Sequence, residues 1–292
     1  MDVNQNYALS AERPIKELRC KFLHDFDSHP EMYDPADRDK VTSSDLWVAR
    51  FLNFLDQGPD RALDHMIETF RWRKSFGINQ FDPLEIPREV YVMAPLFEYY
   101  PDSKGRKMFY VRVKMHRKIS MLEERIKKSF MNYIEKLDTA ANCEHGINLV
   151  FDMTASGYSN ADLELLFFIL PSIRKYYPNS VKYVYVLGLP WILNSIAKFA
   201  LALIPSDTAK KVRFLTQSEF HNIMPVDQIP DFLGGTGSRN YRRIPRGAKS
   251  CVQLGAELFD LSEEEVIKLL KPSLKHIREG EATAIEENDD EE

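Results

Sequence analysis

The 292-residue chain is 44% hydrophobic and 12% aromatic, enough apolar material for one large core or two ordinary ones. Its 39 lysines and arginines stand against 44 aspartates and glutamates, a formal charge of −5, so the basic excess of a nucleic-acid binder is missing and no such partner is expected. The opening MDVNQNYALSAERP lacks the cationic-then-apolar order of a secretory signal, and no unbroken apolar run reaches the roughly 18 residues of a membrane span, which points to a cytoplasmic protein.

Helices come first along the chain. PIKELRCKFLHDF sets Ile15, Leu18, Phe22 and Phe26 on one helical face. TSSDLWVARFLNFLD carries Leu46, Val48, Phe51, Leu52 and Leu55, with a capping-box pattern at Thr42 and Asp45. After QGP a third helix starts near Pro59, runs through ALDHMIETFRWRKSF and stops at Gly77. These make a helical subdomain over residues 1–80.

The pattern then alternates. FEYYPDSKGRKMFYVRVK reads as two strands around a turn at Asp102 to Gly105, with Phe109, Val111 and Val113 alternating against Met108, Tyr110 and Arg112. A long amphipathic helix follows in MLEERIKKSFMNYIEKLDTAA. Short apolar runs INLVFD, VKYVYVLG and KVRFL then alternate with helical stretches, which predicts βαβ units in a mostly parallel α/β sheet. Pro171 predicts a kink or break in its helix.

Chemistry-bearing motifs are sparse. There is no GxGxxG, GxxxxGK[ST], HExxH or GxSxG. Cys20, Cys143 and Cys251 are odd in number and far apart, without metal-ligand spacing, so reduced thiols, no metal and no cofactor are expected. Cys143 and His145 lie two residues apart, a spacing that seldom holds a nucleophile and its base together. Asp152 ends a strand, where it is either a functional group at the sheet's carboxyl edge or a cap for the next turn.

The segment LPWILNSIAKFALALIP, residues 189–205, carries a single charge, Lys198. As a helix it places Ile192, Ile196, Phe199 and Leu203 on one face, and Leu193, Ala197, Ala200 and Ile204 on the next. That apolar arc is wider than the roughly 100° needed to lie on a sheet. The helix is about 21 Å long, short of the ~30 Å hydrocarbon core, so it can be buried, lie in an interface or line a cavity, but cannot span.

YYPNSVKYVYVLGLPWILNSIAKFALALIPSDTAKKVRFL followed by QIPDFLGG resembles the core of a CRAL-TRIO domain of the secretory-pathway phosphatidylinositol-transfer type. Tyr176, Tyr177, Pro178, Pro190, Pro205, Lys211, Val212, Pro230, Gly234 and Gly235 match its pattern. ARFLNFLDQGPDRALDHMIETFRWRK resembles the family's N-terminal helices through Arg50, Phe51, Leu52, Ala62, Trp72 and Arg73. FRWRKSFGIN, KMFYVRVK and LPWILNSIAKF look most like the lipid-binding domain of motile sperm domain-containing proteins; those relatives continue into a further domain and an anchor, where this chain turns acidic.

The resemblance implies an N-terminal helical subdomain and a CRAL-TRIO-like sheet flanked by helices over residues 81–236. It implies a hydrophobic pocket closed by a gate helix, Pro190 to Leu203. Function follows: one phospholipid or other hydrophobic ligand is bound without covalent chemistry and exchanged with a membrane by a monomer that associates peripherally, the alternative being a lipid-sensing or protein-binding adaptor. Thr208 and Lys211 match half of the family's inositol site, while Asn53 and Asn179 stand where it has arginine and glutamate; Arg50 joins the first two as a ligand-binding candidate. Phe109, Val111, Leu149, Phe151 and Tyr185 on the sheet, with Ile192, Ile196, Phe199 and Leu203 on the gate, are the candidate acyl contacts. Trp191, Lys198, Arg242 and Arg243 are the candidate membrane contacts.

From 237 to 280 the chain reads as a basic segment, Arg239 to Lys249, and a short helix, LSEEEVIKLL. The basic run serves either an anionic lipid surface or a solvated linker. Residues 281–292, seven of twelve acidic, read as a disordered tail.

Overall fold

A computed structural model describes residues 3–54, 58–140 and 145–287. Helices α1 (Val3–Ser28), α2 (Ala36–Ser43), α3 (Asp45–Leu52) and α4 (Pro59–Phe76) enclose the first core. Ile15, Leu18, Phe22 and Phe26 face Val48, Phe51 and Phe70 there, as the helical spacing requires, and all seven are buried. Pro59 opens α4 and Gly77 closes it in the left-handed region at φ 77°, which a glycine adopts without a Cβ clash.

The cap of the second expected helix falls elsewhere. Thr42 lies inside α2, its hydroxyl donating back to the Arg38 and Asp39 carbonyls, and Ser44 caps α3 by accepting from the Trp47 N–H at 3.2 Å. Helix α2 escaped the sequence reading because its one buried aliphatic residue, Val41, makes no period. Ser44→Ala should cost about 1 kcal/mol of unfolding free energy in a denaturant titration.

The rest follows from crossover geometry. After α5 (Arg88–Met93) come β1 (Leu96–Tyr99), β2 (Lys107–Arg112), α6 (Glu123–Ala140), β3 (Ile147–Asp152), α7 (Leu163–Tyr176), β4 (Val181–Leu187), α8 (Asn194–Leu203), α9 (Ser206–Ala209), β5 (Val212–Leu215) and α10 (Gln217–His221). The strands form one sheet in chain order, β1 antiparallel to β2 and the others parallel. Parallel neighbours taken in sequence need right-handed crossovers that leave every connecting helix on the same face. Helices α6, α7 and α8 accordingly share one face with the cross-strand row Val111, Phe151, Val186, Phe214. On the other face Tyr110, Val150 and Tyr185 lie under Phe220, Met224, Ile229 and Leu233.

Helix α7 runs through Pro171 without a break. Pro171 is exposed, so water can take the Phe167 carbonyl that its missing N–H leaves unbonded.

A second ladder, β6 (Arg243–Ile244) with β7 (Ile285–Glu286), brackets α11 (Cys251–Phe259), α12 (Glu263–Leu270) and α13 (Leu274–Glu281). One short helix was expected over residues 237–280; the segment instead folds back on α5, where a Cβ at Gly280 would stand 2.2 Å from the Val92 carbonyl oxygen. Ile285–Glu286 falls in the stretch expected to be disordered and is paired, because the chain returns beside β6; residues 288–292 lie outside the described ones.

Candidate ligand cavity

The sheet face under α7 and α8 is incompletely filled. A cavity of about 240 Å³ lies between Val111, Phe151, Val184 and Val186 of the sheet, Leu166 and Ile169 of α7, and the inner side of α8. An apolar void of roughly 150 Å³ already stays dry and takes up benzene, so this one favours a hydrophobic occupant over water. Its origin is local: Ala197 and Ala200 stand on the inner side of α8, and methyl side chains leave the space that larger residues would fill.

The candidate acyl contacts divide three ways. Val111, Phe151 and Ile196 line the cavity. Phe109 and Leu149 lie on the same face one row lower, buried against α6, with the Phe109 ring 5.1 Å from those of both Phe130 and Tyr133. Tyr185 belongs to the opposite face: Leu149 pairs with Val184 and Phe151 with Val186, so Val184 and Val186 point into the cavity and Tyr183 and Tyr185 away.

On α8, of the expected face Ile192, Ile196, Phe199 and Leu203, Ile196 lines the cavity while Ile192 and Phe199 do not. Leu193, Ala197, Ala200 and Ile204 line the cavity, with Ile196 at the border. Ile192 is partly buried outside the lining, and Phe199 is 49% exposed, edge-on to Phe167 at 5.9 Å. The side chain of Leu203 lies outside the described ones. Bulk favoured the Ile192–Phe199 stripe in sequence, yet a cavity needs small residues on its wall. Trp191 is 82% exposed and Lys198 is exposed.

The three polar candidates are elsewhere. Arg50 is buried, its guanidinium donating to Asp138 at 3.1 Å and stacked 4.2 Å from the Trp47 ring. Lys211 donates to the Val181 carbonyl at 3.1 Å, and Thr208 sits in α9. Burial, then the charges of Lys211, Arg106 and Arg50, push the Lys182 ammonium down, and none of Arg50, Thr208 and Lys211 is part of the cavity lining.

Arg242 is partly buried beside the Tyr241 ring at 4.7 Å, and Arg243 pairs with Glu287 at 3.4 Å, so neither stands clear for a surface. Asp152 caps its turn, accepting from the Thr154 N–H at 3.0 Å. Cys143 lies outside the described residues, and His145 is exposed.

Polar residues that the sequence reading passed over gather at one end of the cavity. His116 Nε2 lies 3.0 Å from Asp162 Oδ2, and Asp162 also accepts the Leu165 N–H at 3.0 Å at the start of α7. Burial pushes the Asp162 carboxyl up, but these two bonds outweigh it and hold the group below its ordinary value. Nothing in HRK advertised this role, because the partner is 46 residues away. Among the described residues no group of three or more His, Cys, Asp or Glu is placed to hold a metal, and no helix is long and apolar enough to cross a membrane.

A mostly parallel sheet with its crossover helices on one face, the last lying over an apolar cavity, defines a cavity-bearing α/β protein. Residues 93–235 match the model of the CRAL/TRIO domain, so the chain carries a CRAL/TRIO domain over that stretch. The chain is 23% identical over 212 residues to the phosphatidylinositol transfer protein CSR1 of Eremothecium gossypii, covering 68% of this chain and 48% of that one. It is 22% identical over 179 residues to human tyrosine-protein phosphatase non-receptor type 9, covering 60% of this chain and 30% of that one. The chain thus spans half or less of these relatives. The crystal structure of Sfh5 superposes with a TM-score of 0.55 at 12% identity, over 91% of this chain and 98% of that one, which establishes the shared fold.

Proposed function

We propose that the chain binds one phospholipid or comparable hydrophobic molecule in the cavity, and exchanges it with a membrane when Pro190 to Leu203 swings away as a gate. The observation that carries this reading is the two-sidedness of α8: small and aliphatic residues face the cavity, while Phe199 and the neighbouring Trp191 face outward and exposed. A core helix needs one apolar face; one that leaves its cavity for lipid uses both.

Burial stabilises a ligand by about 0.8 kcal/mol per CH₂, so a ~16-carbon tail gains roughly 12 kcal/mol on leaving water. An open groove could not supply that, and a lid that opens only at an apolar surface can. Exposed aromatics continue onto α7 and the turn before it, with Phe167 at 43% and Tyr158 at 67%, giving the membrane a stationary lip beside the moving one. On this reading the protein works as a monomer at the cytoplasmic surface of a membrane, and its chemistry is non-covalent.

Phe199→Asp tests the gate. Its outward position makes the fold tolerant, so the melting temperature should change little, while vesicle binding in a sedimentation assay falls about tenfold, the order expected for losing part of a phenyl group's burial. Unchanged vesicle binding would remove α8 from the membrane contact.

A further inference from the structure

The cavity wall is apolar except at a few positions, and its polar residues gather where the segment after β2 meets the start of α7. There the cavity runs on into a narrow cleft between residues 116–127 and α7, sharing His116, Arg117 and Asp162 with it. The carboxylates at this end are engaged. Asp162 holds His116 and the Leu165 N–H, and Glu164 holds Lys118 at 2.8 Å and Lys127 at 3.4 Å.

Arg117 differs. Its Nη1 donates to the carbonyls of Lys114 at 3.3 Å and His116 at 2.9 Å, and among the described residues no carboxylate lies within salt-bridge distance of it. Asn160 Nδ2 donates to the same two carbonyls at 3.0 Å each, which fixes the loop that carries the guanidinium. A held, partly buried cation without a counter-ion, at the polar end of an apolar cavity, is a recognition element for an anionic group joined to a hydrophobic tail.

We infer that Arg117 receives the phosphate or carboxylate head of the bound amphiphile, whose tail runs beneath α8 toward Val184, Val212 and Ile204. The assignment rests on the cavity's being a lipid site. It sets the head apart from Thr208 and Lys211, which do not line the cavity.

Two probes with the same palmitoyl tail separate the questions: lysophosphatidic acid and monopalmitoylglycerol, each titrated below its critical micelle concentration into the full chain, Arg117→Gln and Arg117→Lys. In Arg117→Gln the phosphate-headed probe should bind at least tenfold more weakly and the glycerol-headed one as before, since one hydrogen bond to a charged group is worth that much. Arg117→Lys should recover part of the loss, which a collapse of the loop would not allow. Equal effects on both probes, or none on either, would overturn the head assignment while leaving the cavity a lipid site. Inorganic phosphate that binds Arg117 as tightly as the tailed probe would overturn it too, by showing an anion site unconnected to lipid. Failure of the unaltered chain to bind either probe would overturn the lipid reading and the assignment with it.

Discussion

Arg73→Met should lower the unfolding free energy by about 3–5 kcal/mol, the range for removing one partner of a buried ion pair. Arg73 is fully buried in α4 and ties three elements together. It donates to Asp37 of α2 at 2.8 Å and to Glu135 of α6 at 2.6 Å, while Tyr177 after α7 donates to Glu135 at 2.9 Å and Lys40 pairs with the same carboxylate. Removing the guanidinium leaves Asp37 buried without a counter-charge and Glu135 with Lys40 alone. Trp72, stacked on Tyr176 with centroids 3.9 Å apart, marks the same seam between the N-terminal helices and the sheet domain. Loss at this position should therefore loosen both halves in one cooperative transition.

The sign of the pH dependence follows from Glu135. Burial pushes its carboxyl up, but Arg73 and then Lys40 overcome that and hold it at about 2. A carboxyl depressed in the folded state contributes stability above its ordinary value of 4.5, and that contribution is lost as pH falls from there toward 2. Unfolding free energies measured from neutral to acid pH should decline across that window in the unaltered protein and more shallowly in Arg73→Met. Replacing Arg73, Asp37 and Glu135 together with apolar residues of similar volume should recover much of the loss, because the penalty comes from the orphaned charges.

Ala200→Trp should abolish lipid retention with little cost to the fold. Ala200 stands on the inner wall of α8 facing the apolar cavity of about 240 Å³, so an indole there would occupy space that a ligand needs. Core over-packing costs about 1–3 kcal/mol where no room exists; here room exists, and thermal stability should hold or rise. The lipid recovered per chain by solvent extraction should fall at least tenfold. Ala197→Trp, one turn earlier on the same wall, should act alike, which guards against a peculiarity of one site. Retention of lipid by both variants would place the ligand elsewhere.

Much of this architecture was legible because it rests on periodicity. The alternation of β2 and the spacing in α1 needed no tertiary knowledge, and Pro59 and Gly77 punctuate α4 as single residues. The faces of β4 and α8 were not fixed in the same way. Both carry apolar residues on two sides, so local hydrophobicity could not say whether Tyr185 or Val186, Phe199 or Ala200, faced inward; the neighbouring strand and the cavity decided it. The polar end was out of reach for another reason. His116 and Asp162 meet only because the first crossover helix and the second lie side by side, a juxtaposition with no trace in local sequence.

The C-terminal segment teaches a related point. Its basic run looked like a surface feature, yet Tyr241 lies 4.5 Å from the Phe97 ring and Ile244 is buried, so the stretch between Arg239 and Lys249 is threaded partly through the core. Charged side chains with long aliphatic stems can cover apolar surface in this way, and counting charges did not show it.

The most direct test of the central claim is to purify the chain under non-denaturing conditions, identify any bound lipid by native mass spectrometry, and follow a labelled lipid between donor and acceptor vesicles. One lipid per chain, with transfer accelerated by the unaltered protein and not by Ala200→Trp, is the result predicted by a cavity that carries its ligand. A lipid-free chain that leaves the transfer rate at its spontaneous value would contradict it.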